Sequence, residues 1–535
     1  MKEVFKNLEK YMVNKVVFTG KNEIIKENEN VIFLGHWCFK NKIFKNLSED
    51  TYKVIESDCF SKNELEKQYE VLKNYYEIIL DELYPQLNKI HNLKWCKRSW
   101  RILIGPWLFR YVLVFGNRYY ILKKAEKFEK DLFKNIHHDY VYENNVTLDL
   151  NDFTVKASED NFNNDIFNRI LEVSKIKENN FKPRLPQKLP LNNKSNITSN
   201  KNKILKTVNV ILFRFLDKLF NQKCIFYQTY INDFFTNLKI IISLKQLHIP
   251  YALFLNEEKI NLDIDTNLRR QIKFRNESDE LLSILKKIIN EVVPKYYLEH
   301  FNFFLQNSNN SILPRSKKII LTANAVFRDT IFKIWTADQI NKGSKLICRQ
   351  HGGDYGINKP ISHMDHEIDI SDKFISWGWD DKNSSKVIKG PGMIINKKNI
   401  KKITEPKILL VSQCTSRYVH QDLSTLFSYR SQIYKKKVFN FLSNVDPKLL
   451  EIFYLRNKKI LEDDNRQEDI SYFTNELLNS FPKIRVSDKK LDIKSDFNSS
   501  ELVIFFFMQT SFLESLAYNR PTVNVFSCED FLITE

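Results

Sequence analysis

Two spacings of apolar residues alternate along this chain, and their order predicts its architecture. From residue 62 to about 90, Leu65, Tyr69, Leu72, Tyr76, Ile79, Leu83 and Leu87 recur every three or four positions, the spacing of an amphipathic helix. A second, aromatic-rich helix is expected to run to about residue 130, entered through a turn at Gly105-Pro106. Elsewhere, short unbroken apolar runs at 31–34, 251–255, 318–322, 345–348, 407–412, 452–455, 484–486 and 502–507 read as buried strands. Helical patterns at 204–220, 232–247, 327–335, 432–441 and 472–479 are interleaved with them. Strands alternating with helices predict α/β architecture, with parallel sheets covered on both faces.

Breaks in the pattern divide the chain. Residues 182–203 are rich in Pro, Asn, Ser and Lys and read as a linker, and a second break falls at Gly390-Pro391-Gly392. The expectation is two α/β domains in series with a cleft between them, and extra helices in the N-terminal half. Residues 1–395 are expected to form the first and 396–535 the second.

Glycine points to the chemistry. The chain has 11 glycines in 535 residues, and Gly352, Gly353 and Gly356 fall together just after the strand at 345–348. In open α/β sheets ligands collect at strand exits, and clustered glycine there lets backbone approach a ligand. Arg349, Gln350 and His351 precede the cluster and suit an anionic substrate. General-base candidates are His351, Asp354 and the group His363, Asp365, His366 and Glu367. His351 is favoured as base or phosphate-contacting residue, with Asp354 behind it and Glu367 orienting or substituting. No spacing among these matches a metal motif, so no metal site is expected.

Composition narrows the classes. Lys+Arg 83 against Asp+Glu 65 gives a formal net charge of +18, which favours anionic partners. The lysines are dispersed among Asn and Glu, and no nucleic-acid-binding motif is visible, so nucleic acid is not expected as a partner. Seven scattered cysteines without C-x-x-C spacing suggest neither disulfides nor zinc and fit a reducing cytoplasm. The N-terminus has no signal-peptide apolar core, and no run is long enough to span a bilayer. A cytoplasmic protein is expected, whose basic composition suits peripheral contact with an anionic membrane surface.

Five segments carry a resemblance. Leu34-Gly35-x-Trp37-Cys38, Trp100-Arg101 through Gly105-Pro106-Trp107, Gln350-His351-Gly352-Gly353-x-Tyr355-Gly356 and Ser376-Trp377-Gly378-Trp379 together resemble the bacterial transferase family of surface-carbohydrate gene clusters. Thr510-Ser511-x-x-Glu514-x-Leu-Ala-x-Asn519-x-Pro521 resembles the donor-site strand-loop-helix of GT-B glycosyltransferases, although Ser-x-x-Glu is also a capping arrangement. The resemblance implies two facing Rossmann-like domains, 1–395 on the acceptor side and 396–535 binding the donor, in which Thr510 and Ser511 meet a donor phosphate and Glu514 holds a ribose. Arg417 and Arg456, each just beyond a predicted strand, are further phosphate candidates. Gly35, His36, Trp37, Arg101, Gln350, Gly352 and Gly353 are expected along the acceptor side of the cleft.

The implied activity is transfer of a sugar from a nucleotide-activated donor to a cell-envelope polysaccharide or lipopolysaccharide, without metal or separate cofactor. CMP-linked acidic sugars are the suggested donors, with a glycan or lipid-linked acceptor. Two alternatives stay open: polyol-phosphate transfer from a CDP-linked donor, and a non-catalytic carbohydrate-binding homologue. GT-B enzymes usually continue with closing helices, so the end at Glu535 reads as truncation or as missing helices.

Overall fold

The computed structural model describes residues 15–20, 30–38, 52–128, 132–133, 146–174, 223–227, 239, 242–243, 248–249, 263–309, 313, 319–358, 361–381, 384–392, 405–413, 416–423, 428–457, 466–487 and 492–525. The expected linker at 182–203, the helix at 204–220, the strand at 251–255 and most of the helix at 232–247 lie outside these.

Among the described residues every strand pairing is parallel, in three sheets. The first joins β1 (Lys15–Val17), β2 (Val31–Phe33) and β3 (Tyr52–Val54) in chain order. This small sheet is an addition to the expected pair. Two long helices follow, α1 (Lys62–His91) and α2 (Lys97–Phe128). Ser61 and Glu64 close a reciprocal capping box at the start of α1, and Asn92 ends it in the left-handed conformation with φ 52°.

The turn expected at Gly105-Pro106 is not made. Helix α2 runs through it for 32 residues, although proline there removes a backbone donor and normally breaks a helix. Trp100, Leu103, Ile104, Trp107 and Leu108 around it are all fully buried, so core surrounds this stretch and holds it helical. Gly105 permits close passage: a Cβ there would lie 2.9 Å from Tyr76 Oη on α1 and 3.1 Å from His366 Cε1.

The second sheet has β4 (Cys224–Tyr227), β5 (His248–Ile249), β6 (Ile319–Thr322), β7 (Lys345–Arg349), β8 (Lys373–Ser376) and β9 (Val387–Lys389), in the order β5-β4-β6-β7-β8-β9. Helix α3 (Ser362–Ile370) connects β7 to β8. The helix expected at 327–335 is instead two, Ala325–Arg328 and Thr330–Asn341, because Asp329 breaks out to cap the second through Phe332 N.

The third sheet has β10 (Ile408–Val411), β11 (Phe453–Arg456), β12 (Arg485–Val486), β13 (Leu502–Phe505) and β14 (Thr522–Asn524), ordered β12-β11-β10-β13-β14. That is the Rossmann order, with its switch point between β10 and β13. Helix α4 (Thr510–Ala517) leaves β13 beside that point.

Two hydrophobic cores result. One runs from Val16 to Leu423 and joins the first two sheets; the other, from Leu409 to Tyr518, belongs to the third. They interlock, since Tyr418, Val419 and Leu423 leave the third sheet's sequence to pack in the first core. Asp422 ties that excursion down by accepting from Ser362 N (2.6 Å), from the Ser362 hydroxyl and from His363. The second and third sheets also meet directly. Gly353, beyond β7, donates its N–H to Thr510 Oγ1 at 2.9 Å. This is the α/β arrangement of facing Rossmann-like units that the GT-B resemblance implies.

Two expectations follow from these ties. A Cβ on Gly353 would fall 2.7 Å from both Thr510 Cα and N, atoms that cannot rotate away. Gly353→Ala is therefore expected to weaken the contact by about 1–3 kcal/mol and to enlarge the radius of gyration in small-angle scattering, while both cores keep their denaturation midpoints. An unchanged radius would show that the sheets meet independently of this contact.

The second expectation concerns acid. Burial alone would raise the Asp422 pKa, but His363, Arg110 and the Ser362 hydrogen bond outweigh it and bring the value down to about 2. A depressed carboxylate stabilises the fold above its unfolded value and loses that stabilisation as pH falls toward the folded one. Asp422 should thus contribute ~2 kcal/mol near neutrality, lost between about pH 4 and pH 2. In urea melts, Asp422→Asn should flatten stability across that window, and an unaltered slope would refute the assignment.

Candidate functional site

At the C-terminal end of the second sheet, β7 opens into the glycine-rich loop and α3 returns beneath it. Gln350 is the loop's anchor. It is 1% exposed, its Oε1 accepts from Trp377 N (2.7 Å) and Trp379 Nε1 (2.8 Å), and its Nε2 donates to Gly352 O (2.7 Å). Gly356 then turns the chain with φ +72°, under the Trp379 ring. Gln350 was expected at the acceptor side; the structure uses all these amide contacts to fix the loop.

This anchoring presents His351. Its Nε2 lies 2.9 Å from Glu367 Oε1 and 2.7 Å from Tyr355 Oη, and Tyr355 Oη donates to Glu367 Oε2 at 2.9 Å. Glu367 is 0% exposed and comes from the middle of α3. A carboxylate can only accept, so it places the proton on His351 Nε2 and the lone pair on Nδ1. Tyr355 stacks on Phe374 and is fully buried; burial first, then the Glu367 and Asp354 charges, push its pKa well above the ordinary tyrosine value. It therefore stays a phenol that bridges imidazole and carboxylate. A carboxylate that orients an imidazole and can stabilise its protonated form is the arrangement of a general base.

Asp354 and His363 complete the cluster, with His363 Nε2 3.9 Å from Asp354 Oδ2 and the two imidazole centroids 6.1 Å apart. Next to this loop stands the start of α4. Its N-cap, Gln509, makes no side-chain cap bond, so the first backbone donors of the helix are not consumed by a side chain of their own cap. Thr510 does not cap the helix; its hydroxyl accepts from Gly353. Ser511 and Glu514 lie in the same first turns, both partly exposed, and burial raises the Glu514 pKa, with Asp492 adding to it against Lys494.

The other expected residues are placed elsewhere. Arg417 pairs with Asp160 at 2.8 Å beside Gly20, beyond β1. Arg456 ends β11 in a buried pair with Asp496 at 3.0 Å. Arg101 makes a bidentate pair with Glu77 (2.5 and 2.6 Å) on α1. At the end of β2, Trp37 folds over Gly35 and donates from Nε1 to Phe18 O at 2.9 Å, while exposed His36 lies 3.5 Å from Glu56. These contacts build the first core and the third sheet rather than the His351 cluster. Sequence reasoning gave no role to Tyr355 or Asp422. Tyr355 stood inside the glycine motif, whereas nothing local marks Asp422, which reaches α3 from 59 residues away.

Among the described residues no group of His, Cys, Asp and Glu has the arrangement of a metal site, and no helix is long and apolar enough to cross a membrane.

No curated protein matches the chain. Among solved structures, a glycosyltransferase from Rickettsia africae ESF-5 is 13% identical, with 59% of this chain and 74% of that one covered at a TM-score of 0.25. S. aureus MnaA, in a co-structure with UDP, is 14% identical, with 58% and 79% covered at a TM-score of 0.31. Neither likeness is close enough to bear on activity. A family model described as LIC12162 family transferase matches residues 14–535. With that match over almost its whole length, the chain belongs to the LIC12162 transferase family.

Proposed function

We propose that the protein is a glycosyltransferase in which His351 deprotonates an acceptor hydroxyl while the start of α4 holds the donor's phosphate. The observation that carries this reading is the contact that sets a carboxylate-oriented imidazole beside a helix N-terminus at a Rossmann switch point. Departure of a nucleotide builds negative charge on its phosphate. Backbone N–H groups and the positive end of a helix dipole offset such charge, as would the Ser511 hydroxyl, and this needs no metal or separate cofactor. Glu514, one turn on, is suited to accept from ribose hydroxyls.

Here His351 takes the acceptor's proton at Nδ1, Glu367 stabilises the imidazolium through Nε2–H, and the acceptor oxygen attacks the anomeric carbon. The nucleotide and acceptor are inferred from the family resemblance: a CMP-linked acidic sugar, moved to envelope polysaccharide or lipopolysaccharide at the cytoplasmic face of the inner membrane. The basic composition favours both an anionic donor and that surface.

Thermal-shift titration against CMP, CDP, UDP, GDP and dTDP tests the donor site. One nucleotide at a hundred times its Kd should add about 2.7 kcal/mol of stability, a rise of a few degrees in Tm, and Glu514→Ala should abolish it. A panel without any shift would overturn the donor assignment. With the nucleotide known, His351→Ala should lower turnover about 10²- to 10⁴-fold while leaving the thermal shift intact. If turnover persists, the base lies elsewhere; a product carrying phosphorus would identify polyol-phosphate transfer.

A further inference from the structure

The general-base reading leaves a second imidazole beside the cleft without a role. His363 sits in the first turn of α3, four residues before Glu367 and so on the same helical face. Its Nδ1 is 3.0 Å from Asp422 Oδ2, and that carboxylate's other oxygen is held by Ser362 N and Oγ. The opposite nitrogen, Nε2, faces Asp354, and the side chain is 16% exposed against 3% for Asp422. His363 is therefore fixed from behind by a buried carboxylate, with its other nitrogen toward Asp354 and its ring centroid 6.1 Å from that of His351.

The surroundings decide its charge. Asp422 faces it from the 416–423 segment, Asp354, Tyr355 and His351 from the loop, Glu367 and His366 from its own helix, and Phe327 from the short helix Ala325–Arg328. Arg110 on α2 is close enough to act on Asp422. Burial alone would lower the His363 pKa, but Asp422, Asp354 and Glu367 outweigh it and the net shift is upward. His366, three residues on, goes the other way. Burial, then Arg101, Lys333, Arg110 and His363, push it well below the ordinary value, and neither ring nitrogen has a hydrogen-bond partner among the described residues.

We propose that His363 is a second catalytic group of this site: an imidazolium, positioned by Asp422, that gives its Nε2 proton to the phosphate of the departing nucleotide. The inference rests on the glycosyl-transfer reading and adds its acid. The anomeric C–O bond to phosphate breaks with its electron pair going to the phosphate oxygen, which receives the His363 proton. The acceptor oxygen bonds to the anomeric carbon and loses its own proton to His351. One proton enters the protein and one leaves, and the two imidazoles reset through solvent once products depart.

The test uses the full-length chain. Imidazole ¹⁵N spectra should show His363 protonated on both nitrogens at pH 7, and Asp422→Asn should move its titration to lower pH. A neutral His363 at pH 7 overturns the proposal without any ligand being added. Calorimetric titration of the five nucleotides between pH 6.5 and 9 gives the second readout. For the nucleotide that binds, affinity should fall as pH rises through the His363 titration, because only the charged form donates to phosphate. His363→Gln should bind it about ten- to a hundredfold more weakly, as expected for loss of a charge-assisted hydrogen bond, and without that pH dependence. His363→Lys should retain affinity at high pH, which separates lost charge from lost folding. Wild-type affinity in His363→Gln overturns the acid alone; a wild type that binds none of the five overturns the transfer reading and the acid together.

Discussion

One backbone contact makes a single site out of two sheets. The second and third sheets have separate hydrophobic cores, joined by the 418–423 excursion, but it is at this contact that the loop beyond β7 meets the start of α4. At Gly353 the loop backbone comes so near Thr510 that no side chain fits between them, and a hydrogen bond closes the gap. The imidazoles lie on one side of that contact and the start of α4 on the other. Move the sheets apart by the width of a methyl group, and the base and the donor helix of the proposed mechanism no longer share a substrate. Scarce glycine at this position is thus a geometric requirement.

Much of the framework was readable from residue pattern, for a physical reason. Strands such as β10 and β13 are buried on both faces, so their runs are almost wholly apolar and stand out from polar flanks. The glycine cluster after β7 was equally visible, and with it His351. Three things were hidden. A Gly-Pro pair reads locally as a turn, yet α2 crosses it because core surrounds that stretch, and tertiary burial outweighs local preference. Trp37 and Arg101 belonged to motifs that looked functional, but the Trp37 ring folds onto Gly35 and the Arg101 guanidinium is taken by Glu77. Finally, the partnership of Asp422 with His363 depends on an excursion of the chain from one core into another, which no periodicity records.

Burying Glu367 and Asp422 is costly, since a carboxylate in the interior loses its hydration. Each is compensated by donors that cannot easily leave: Tyr355 and His351 on Glu367, and Ser362 with His363 on Asp422. Hydrophobic residues of similar size would have cost less, so stability alone does not explain these pairs. Orientation does. A buried carboxylate holds its imidazole in one tautomer and one rotamer, which exposed histidines such as His36 lack.

The three histidines around α3 show how little the residue type decides. His363 and His366 lie on one short helix, both deep in the protein, yet neighbours send their pKa values in opposite directions. Burial pushes both down; at His363 the Asp422 carboxylate outweighs it, whereas at His366 Arg101 and Lys333 add to it. His351 differs again, because Glu367 and Tyr355 hold its Nε2 and leave the lone pair on the other nitrogen. The acid and the base of the proposed mechanism thus stand 6.1 Å apart. Each carries its proton where its own carboxylate requires it.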